Sequence, residues 1–165
     1  MRIFIAWIVV LAIIVFAGSG PVHAEAALTG QMASSNYLIG NWNCTTKLPP
    51  MMGQPAHTEQ ATVTFEVAPA NVLHDHVASA EYAGDDYFGY NDRTKTYWSA
   101  SVDNSGAHGG ATSTDGLTYS GTSSLGTVMM NVTSTYTKVS ANNITFHEVI
   151  SGGTMQATID SACTR

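Results

Sequence analysis

Apolar and polar residues alternate along most of the chain beyond residue 37. In the clearest run, residues 61–67, one side carries Ala61, Val63, Phe65 and Val67, and the other carries Thr62, Thr64 and Glu66. An apolar residue at every second position is typical of a strand with one buried face. No stretch keeps the i, i+3, i+4, i+7 spacing of an amphipathic helix for long. The pattern therefore predicts a mostly β domain.

Short turn-forming sequences separate the predicted strands. A first strand carries residues 40–44, and others follow at residues 61–67, 72–82, 86–90, 97–102, 117–122, 127–139, 144–150 and 155–162. Asp115-Gly116 joins two of the shorter strands, because both residue types tolerate the positive φ of tight hairpins. We count nine or ten strands connected in sequence order. Such a meander predicts an up-and-down β-barrel or a sandwich, since either hides most strand edges.

The first 24 residues have the three parts of a cleavable signal peptide. Met1-Arg2 is followed by an apolar run over residues 3–17 and by the small-residue site Val22-His23-Ala24. The alternative is a retained membrane anchor, but the run is shorter than the roughly 20 residues that a span needs. We therefore predict export to the periplasm or beyond. Residues 25–36 lack any period and are expected to be a flexible lead, and residues 37–165 are expected to form one domain.

Two cysteines follow the predicted signal peptide, Cys44 near the start of the domain and Cys163 near its end. In an oxidising compartment they are expected to form a disulfide, the alternative being two free thiols. A disulfide needs Cα atoms within about 7 Å of each other, so it would make the first and last strands neighbours. That adjacency favours an all-β, antiparallel up-and-down barrel of about nine to ten strands.

The charge of the chain limits its partners. The formal net charge is −6, and cleavage after Ala24 makes it −7 because Arg2 is lost. An acidic protein is poorly suited to phosphate backbones or anionic membranes, so we expect no nucleic-acid partner and no membrane association after cleavage. The sequence does not predict the oligomeric state.

Several short motifs carry a resemblance to a known family. They are the G-x-W element Gly40-Asn41-Trp42 with Cys44 behind it, Gly89-Tyr90-Asn91, Tyr97, the VDNSG of residues 102–106 and the LTYSG of residues 117–121. Taken together they resemble a bacterial family of exported lipocalin-like, calycin-type β-barrel proteins of undefined function, over residues 38–163. The resemblance implies a barrel whose closed end is plugged by Trp42, and it implies no catalytic residue. In many lipocalins a late arginine packs across this tryptophan. The last basic residue here is Arg165, which the sequence does not place over Trp42.

His74-Asp75-His76 has the spacing of a two-histidine metal site. Residues two apart on a strand share a face, so His74 and His76 could both bind one transition-metal ion. A third ligand would have to come from His57, His108 or His147 through the fold. The alternative is two polar residues on a solvent-exposed strand face. If the histidines point inward instead, they would make the interior pH-sensitive.

Other polar residues offer further candidate sites. His147 is the candidate proximal ligand for haem, with a surface histidine as the alternative. Asp85-Asp86 and Asp103-Asn104 fall at predicted strand ends, where Asp and Asn commonly start turns, so we interpret them as turn residues. No nucleophile elbow, phosphate loop, H-E-x-x-H or EF-hand spacing occurs, and we predict no catalytic residue and no cofactor.

Large apolar side chains could line a ligand cavity inside a barrel. The candidates are Trp42, Tyr90, Trp98 and Met130. We therefore expect a protein that binds a small apolar or amphipathic molecule. The alternatives are an enzyme that uses a cluster of His and Asp in the cavity, and a structural or interaction protein with a filled core.

Overall fold

A computed structural model describes residues 26–50 and 54–165 of the chain. The predicted signal peptide, residues 1–24, lies outside these residues. The described part forms ten antiparallel strands: β1 Gly40–Leu48, β2 His57–Ala68, β3 Val72–Ser79, β4 Ala83–Asn91, β5 Thr96–Asp103, β6 His108–Ser113, β7 Thr118–Leu125, β8 Val128–Ser140, β9 Asn143–Gly152 and β10 Met155–Thr164. No helix in this part has the length and apolar character needed to cross a membrane.

The ten strands close into an up-and-down barrel. Each strand pairs with its neighbour in sequence, and β1 also pairs with β10, which completes the ring. In that last pairing Cys44 lies directly opposite Cys163, and the two form a disulfide that spans 119 residues of sequence. The predicted barrel and the predicted disulfide are both confirmed.

Alternation along the strands decides which side chains enter the barrel. On β8, Val132, Ser134 and Tyr136 line the interior, whereas the intervening Thr133 is exposed. On β3, Leu73 and Asp75 are buried, so the intervening His74 and the next residue, His76, point outward. Interior positions on these two strands therefore follow a two-residue period.

The segment before β1 is ordered rather than flexible. It forms a 3₁₀ helix, Gly30–Leu38, and the side chains of Leu28 and Met32 are buried in the core. The backbone N–H of Thr29 donates to Asn71 Oδ1 at 2.8 Å, and Asn71 Nδ2 donates back to the Thr29 carbonyl at 3.0 Å. Over the described residues 26–36, this differs from the flexible lead that the sequence predicts for residues 25–36. Two isolated apolar residues give no period that sequence reasoning could detect, but they are enough to fill one end of a barrel.

Trp42 closes the same end of the barrel from inside. Its side chain is only 1 % exposed, and its Nε1–H donates to the Leu38 carbonyl at 2.6 Å. The Arg165 guanidinium lies over the indole with 4.6 Å to the ring centroid, and it donates to the carbonyls of Ile39 at 2.7 Å and Ala141 at 2.9 Å. The structure thus supplies the arginine-over-tryptophan contact that the sequence did not place.

Candidate functional site

The barrel interior holds a cavity of about 160 Å³. Part of its wall is apolar, with Phe88, Phe146 and Ile150, and part carries hydroxyls, with Ser99, Ser101 and Ser134. Phe88, Tyr119 and Tyr136 separate it from the end closed by the helix, where only a void of about 10 Å³ remains. The interior is therefore partly open, and a small molecule with both apolar and polar groups matches its walls.

Three carboxyl groups belong to this interior. Asp86 on β4 and Glu148 on β9 line the cavity. Asp75 on β3 lies directly opposite Asp86 in the strand register and is only 2 % exposed. Asp75 Oδ1 is buried and has no hydrogen-bond partner among the described residues. This acidic cluster spans the barrel: Asp75 and Asp86 lie on the paired strands β3 and β4, and Glu148 lies on β9, on the opposite wall.

Burial dominates the protonation of this cluster. Burial, followed by the charge of nearby Asp86, raises the pKa of Asp75 well above its usual range. Burial, followed by repulsion from Glu148, raises the pKa of Asp86 to about 6. Burial also raises the pKa of Glu148, although Ser134 Oγ donates to its Oε2 at 2.7 Å and opposes the shift. Asp75 therefore holds its proton most strongly, and Asp86 is mainly ionised above pH 6.

The described residues provide no basic partner for the three carboxyls. The ion pairs among them involve Glu66, Asp85, Asp92 and Asp160, all outside the cavity. Tyr136, whose pKa is raised by burial and then by the charge of Asp75, is a neutral neighbour. Among the described residues, the Ser134 hydroxyl stabilises Glu148, and no ion pair balances a negative charge in the cavity.

We expect the pKa of Asp86 to produce a measurable pH dependence of stability. Its folded pKa of about 6 lies above its ordinary value of 3.8, so between these values the folded state binds more protons, and stability falls as pH rises. Asp86→Asn should therefore gain stability relative to wild type between pH 4 and pH 7, by on the order of 2 kcal/mol. Urea unfolding at pH 4, 5, 6 and 7 measures the gain.

The charged groups around Asp86 determine the choice of control variant for this experiment. Asp75, Glu148, Asp85 and His74 all act on its pKa. Asp85 is the matched control, because hydrogen bonds from His76 and His74 lower its pKa, and Asp85→Asn should not gain stability over that range. An equal wild-type-to-variant difference at pH 4 and pH 7 for Asp86→Asn would refute the prediction.

The predicted pair His74 and His76 lies on the outer face of the barrel. His74 Nε2 and His76 Nδ1 both lie 2.9 Å from Asp85 Oδ1, and His74 Nδ1 lies 3.0 Å from Glu66 Oε1. Burial lowers the pKa of His74, but its hydrogen bonds with Glu66 and Asp85 more than offset this, and the pKa is raised. A charged imidazolium between two carboxylates accounts for the geometry.

The other histidines are not brought to this pair. His147 lies between cavity-lining Phe146 and Glu148, so it points outward, where its Nδ1 lies 2.7 Å from Asp160 Oδ1. His57 bonds the Pro55 carbonyl and His108 bonds Ser124. Within residues 26–50 and 54–165, no group of three or more His, Cys, Asp or Glu side chains has an arrangement that could hold a metal ion.

The four predicted ligand contacts lie outside the cavity wall. Trp42 belongs to the closed end, and Tyr90 packs edge-on against Tyr97 with ring centroids 5.0 Å apart. Met130 is buried, and a Cβ at Gly152 would collide with its sulfur. Trp98 lies across Gly89 on the neighbouring strand, where a Cβ would collide with its ring. The cavity is lined instead by smaller residues and by other aromatics.

The residues that sequence reasoning missed are the interior acids. Asp85 and Asp86 lie within β4 rather than at a turn, which corrects their interpretation as turn residues. Asp103 does act as a turn residue, since its Oδ1 accepts from the backbone N–H groups of Ser105 and Ala107. The sequence does contain a signal for them, because residues two apart on a strand share a face. Asp86 shares a face with Phe88 and Tyr90, and Asp75 shares one with Leu73.

Comparison with known proteins adds no assignment to this geometry. The chain matches no protein-family model, and no curated protein matches it either. The function must therefore be argued from the cavity itself.

Proposed function

We propose that this protein is an exported binding protein that holds a small amphipathic molecule inside its barrel. The observation that carries the proposal is the cavity of about 160 Å³, whose wall combines aromatic rings, hydroxyls and carboxyls. A concave site of mixed polarity fixes a ligand by apolar contact and orients it by a few polar groups.

Membership of the lipocalin-like barrels is part of the same proposal. It is supported by the closed ten-strand antiparallel barrel and by Arg165 over Trp42 at the plugged end. Barrels of this size leave room for one small ligand when their inward side chains are small. Here Ser99, Ser101 and Ala111 supply such positions.

Export is the third part of the proposal. The signal-like residues 1–24 and the disulfide between Cys44 and Cys163 both suit the periplasm or the exterior. An intact mass of the protein exported by a bacterial host should begin at Glu25 and be two hydrogens short. A mass that includes residues 1–24 would contradict cleavage.

Filling the cavity is expected to abolish ligand binding. Val132→Trp places a large side chain in the cavity, so binding of the small neutral probe 2-phenylethanol should weaken by at least about tenfold. Thr133→Trp, at the adjacent outward position, is the matched control and should bind as wild type does. A titration of all three proteins followed by amide chemical shifts measures this, with far-ultraviolet circular dichroism to verify folding. Equal binding by both variants would place the probe outside the barrel and overturn the proposal.

The alternative functions have less support from this geometry. An enzyme built on a His and Asp cluster would need His74 and His76 in the cavity, but both lie on the outer face with Asp85. A filled-core structural protein would leave no room beside Tyr119 and Tyr136, where the cavity begins.

A further inference from the structure

We propose that the ligand carries a cationic amine, held by the carboxylates of Asp86 and Glu148 inside the barrel. The inference rests on the proposed binding function and names the chemical class of the ligand. It follows from the charge and the shape of the cavity, and from an unpartnered polar atom of Asp75, which lies beside Asp86 on the paired strand.

The negative charge of the cavity favours a cationic ligand. Asp86 and Glu148 line the same space, and none of the ion pairs among the described residues includes either of them. A carboxylate removed from water is costly unless a positive or hydrogen-donating group faces it. The five basic residues of the described part lie elsewhere: Lys47, Arg93, Lys95, Lys138 and Arg165. The complementary charge is therefore expected from outside the described residues.

Asp75 provides an independent observation that points to a ligand. It is 2 % exposed, lies opposite Asp86 and leaves Oδ1 without a hydrogen-bond partner among the described residues. Buried polar atoms are nearly always satisfied, so an exception requires a partner such as a bound molecule or a functional role. An ammonium group has three donors, which is enough to bond two carboxylates and a third acceptor.

The walls favour an organic cation over a metal ion. The cavity of about 160 Å³ is far larger than a dehydrated ion, and the described residues contain no cluster with metal-binding geometry. Tyr136 and Phe146 line the cavity, with 5.0 Å between their ring centroids. Glu148 lies on the same face of β9 as Phe146 and also lines the cavity. Aromatic faces attract ammonium groups and also pack against an apolar body. A small amine with an aromatic or short aliphatic body matches both properties.

Ser134 orients one of the two carboxylates. Its hydroxyl donates to Glu148 Oε2 at 2.7 Å, which leaves Oε1 free to accept from a ligand. Asp86 is held by its place in the middle of β4, between paired strands. The site is therefore built from rigid strands rather than from loops.

Three probes of nearly equal size test the proposal: 2-phenylethylamine, 2-phenylethanol and 3-phenylpropanoate. They share an apolar body and differ in a positive, neutral or negative head group. Each is titrated into the mature protein at pH 7.5 and followed by amide chemical shifts. We expect the amine to bind at least about tenfold more tightly than the alcohol, and the propanoate more weakly than the alcohol.

Neutral substitutions of similar size separate the effect of the carboxylate charge on binding from the effect of the cavity shape. In Asp86→Asn and in Glu148→Gln, the preference for amine over alcohol should fall to about threefold or less, while alcohol binding stays near wild type. Asp85→Asn is the matched control, because Asp85 neighbours Asp86 but bonds His74 and His76 on the outer face. It should keep the full preference for the amine.

Two failures are distinguishable. If the alcohol binds but the amine binds no more tightly, the amine assignment is wrong and the binding function stands. If no probe shifts the resonances of cavity residues such as Phe88 and Val132, both proposals are overturned. An amine preference that survives in Asp86→Asn and Glu148→Gln would also overturn the assignment to these two carboxylates.

Discussion

Replacing Cys44 and Cys163 together with alanine is expected to lower the free energy of unfolding by about 4 to 5 kcal/mol. The disulfide joins β1 to β10 across 119 residues of sequence, so it restricts nearly the whole unfolded domain. In the chain-entropy model the size of the closed loop sets the stabilisation. The loss is comparable to the entire stability of many domains. Urea unfolding of the oxidised wild type and of the double variant measures it.

The reduced wild-type protein is the control for packing. Both cysteine side chains are buried, so alanine also removes two sulfur atoms from the core. Reduction breaks the cross-link and keeps those atoms, which separates the two contributions. A loss below about 1 kcal/mol on reduction would show that the pairing of β1 with β10 closes the ring without help from the bond.

Trp42→Ala is expected to cost about 3 to 5 kcal/mol of unfolding free energy. The side chain is 1 % exposed, and its loss leaves a cavity at the plugged end. It also removes the indole donor to the Leu38 carbonyl and the surface on which Arg165 lies. Thermal and urea unfolding followed by circular dichroism measure the cost.

Trp98→Ala is the matched control for that substitution. Trp98 lies on the outward side of β5 across Gly89 and is only partly buried, so its loss should cost less than about 2 kcal/mol. If the two variants lose equal stability, the closed end contributes no more than a surface contact, and the plug described for Trp42 is wrong.

Much of the fold could be predicted from the sequence because strands have a simple period. Residues 61–67 lie within β2, and residues 144–150 lie within β9. The cysteines supplied the one long-range constraint, since Cys44 opposite Cys163 requires the first and last strands to be neighbours. The helix at Gly30–Leu38 escaped prediction because its order comes from the barrel end that it fills, not from its own pattern.

The candidate site was harder to predict because its chemistry depends on burial. The motif His74-Asp75-His76 drew attention to the histidines, yet the residue between them enters the barrel. Aspartate is uncommon on buried strand faces, so the sequence favours a turn at Asp86, whereas the structure places this residue within β4. The curvature of the ten strands also determines where space remains between the inward-facing side chains, and the alternation of apolar and polar residues does not specify that curvature. Alternation therefore predicts which side chains face inward, but not which of them line a cavity.

The complete ring of strand pairings affects how copies of this protein can meet. In an open sheet, the outermost strands present unpaired N–H and C=O groups to which another chain can add a strand. Among residues 26–50 and 54–165, every strand has a partner on both sides, because β1 and β10 close the ladder. Edge-to-edge growth into aggregates is thereby blocked in the folded state. Copies that associate must do so through side chains on the outer surface. A variant that separated β1 from β10 would expose two unpaired strand edges at once.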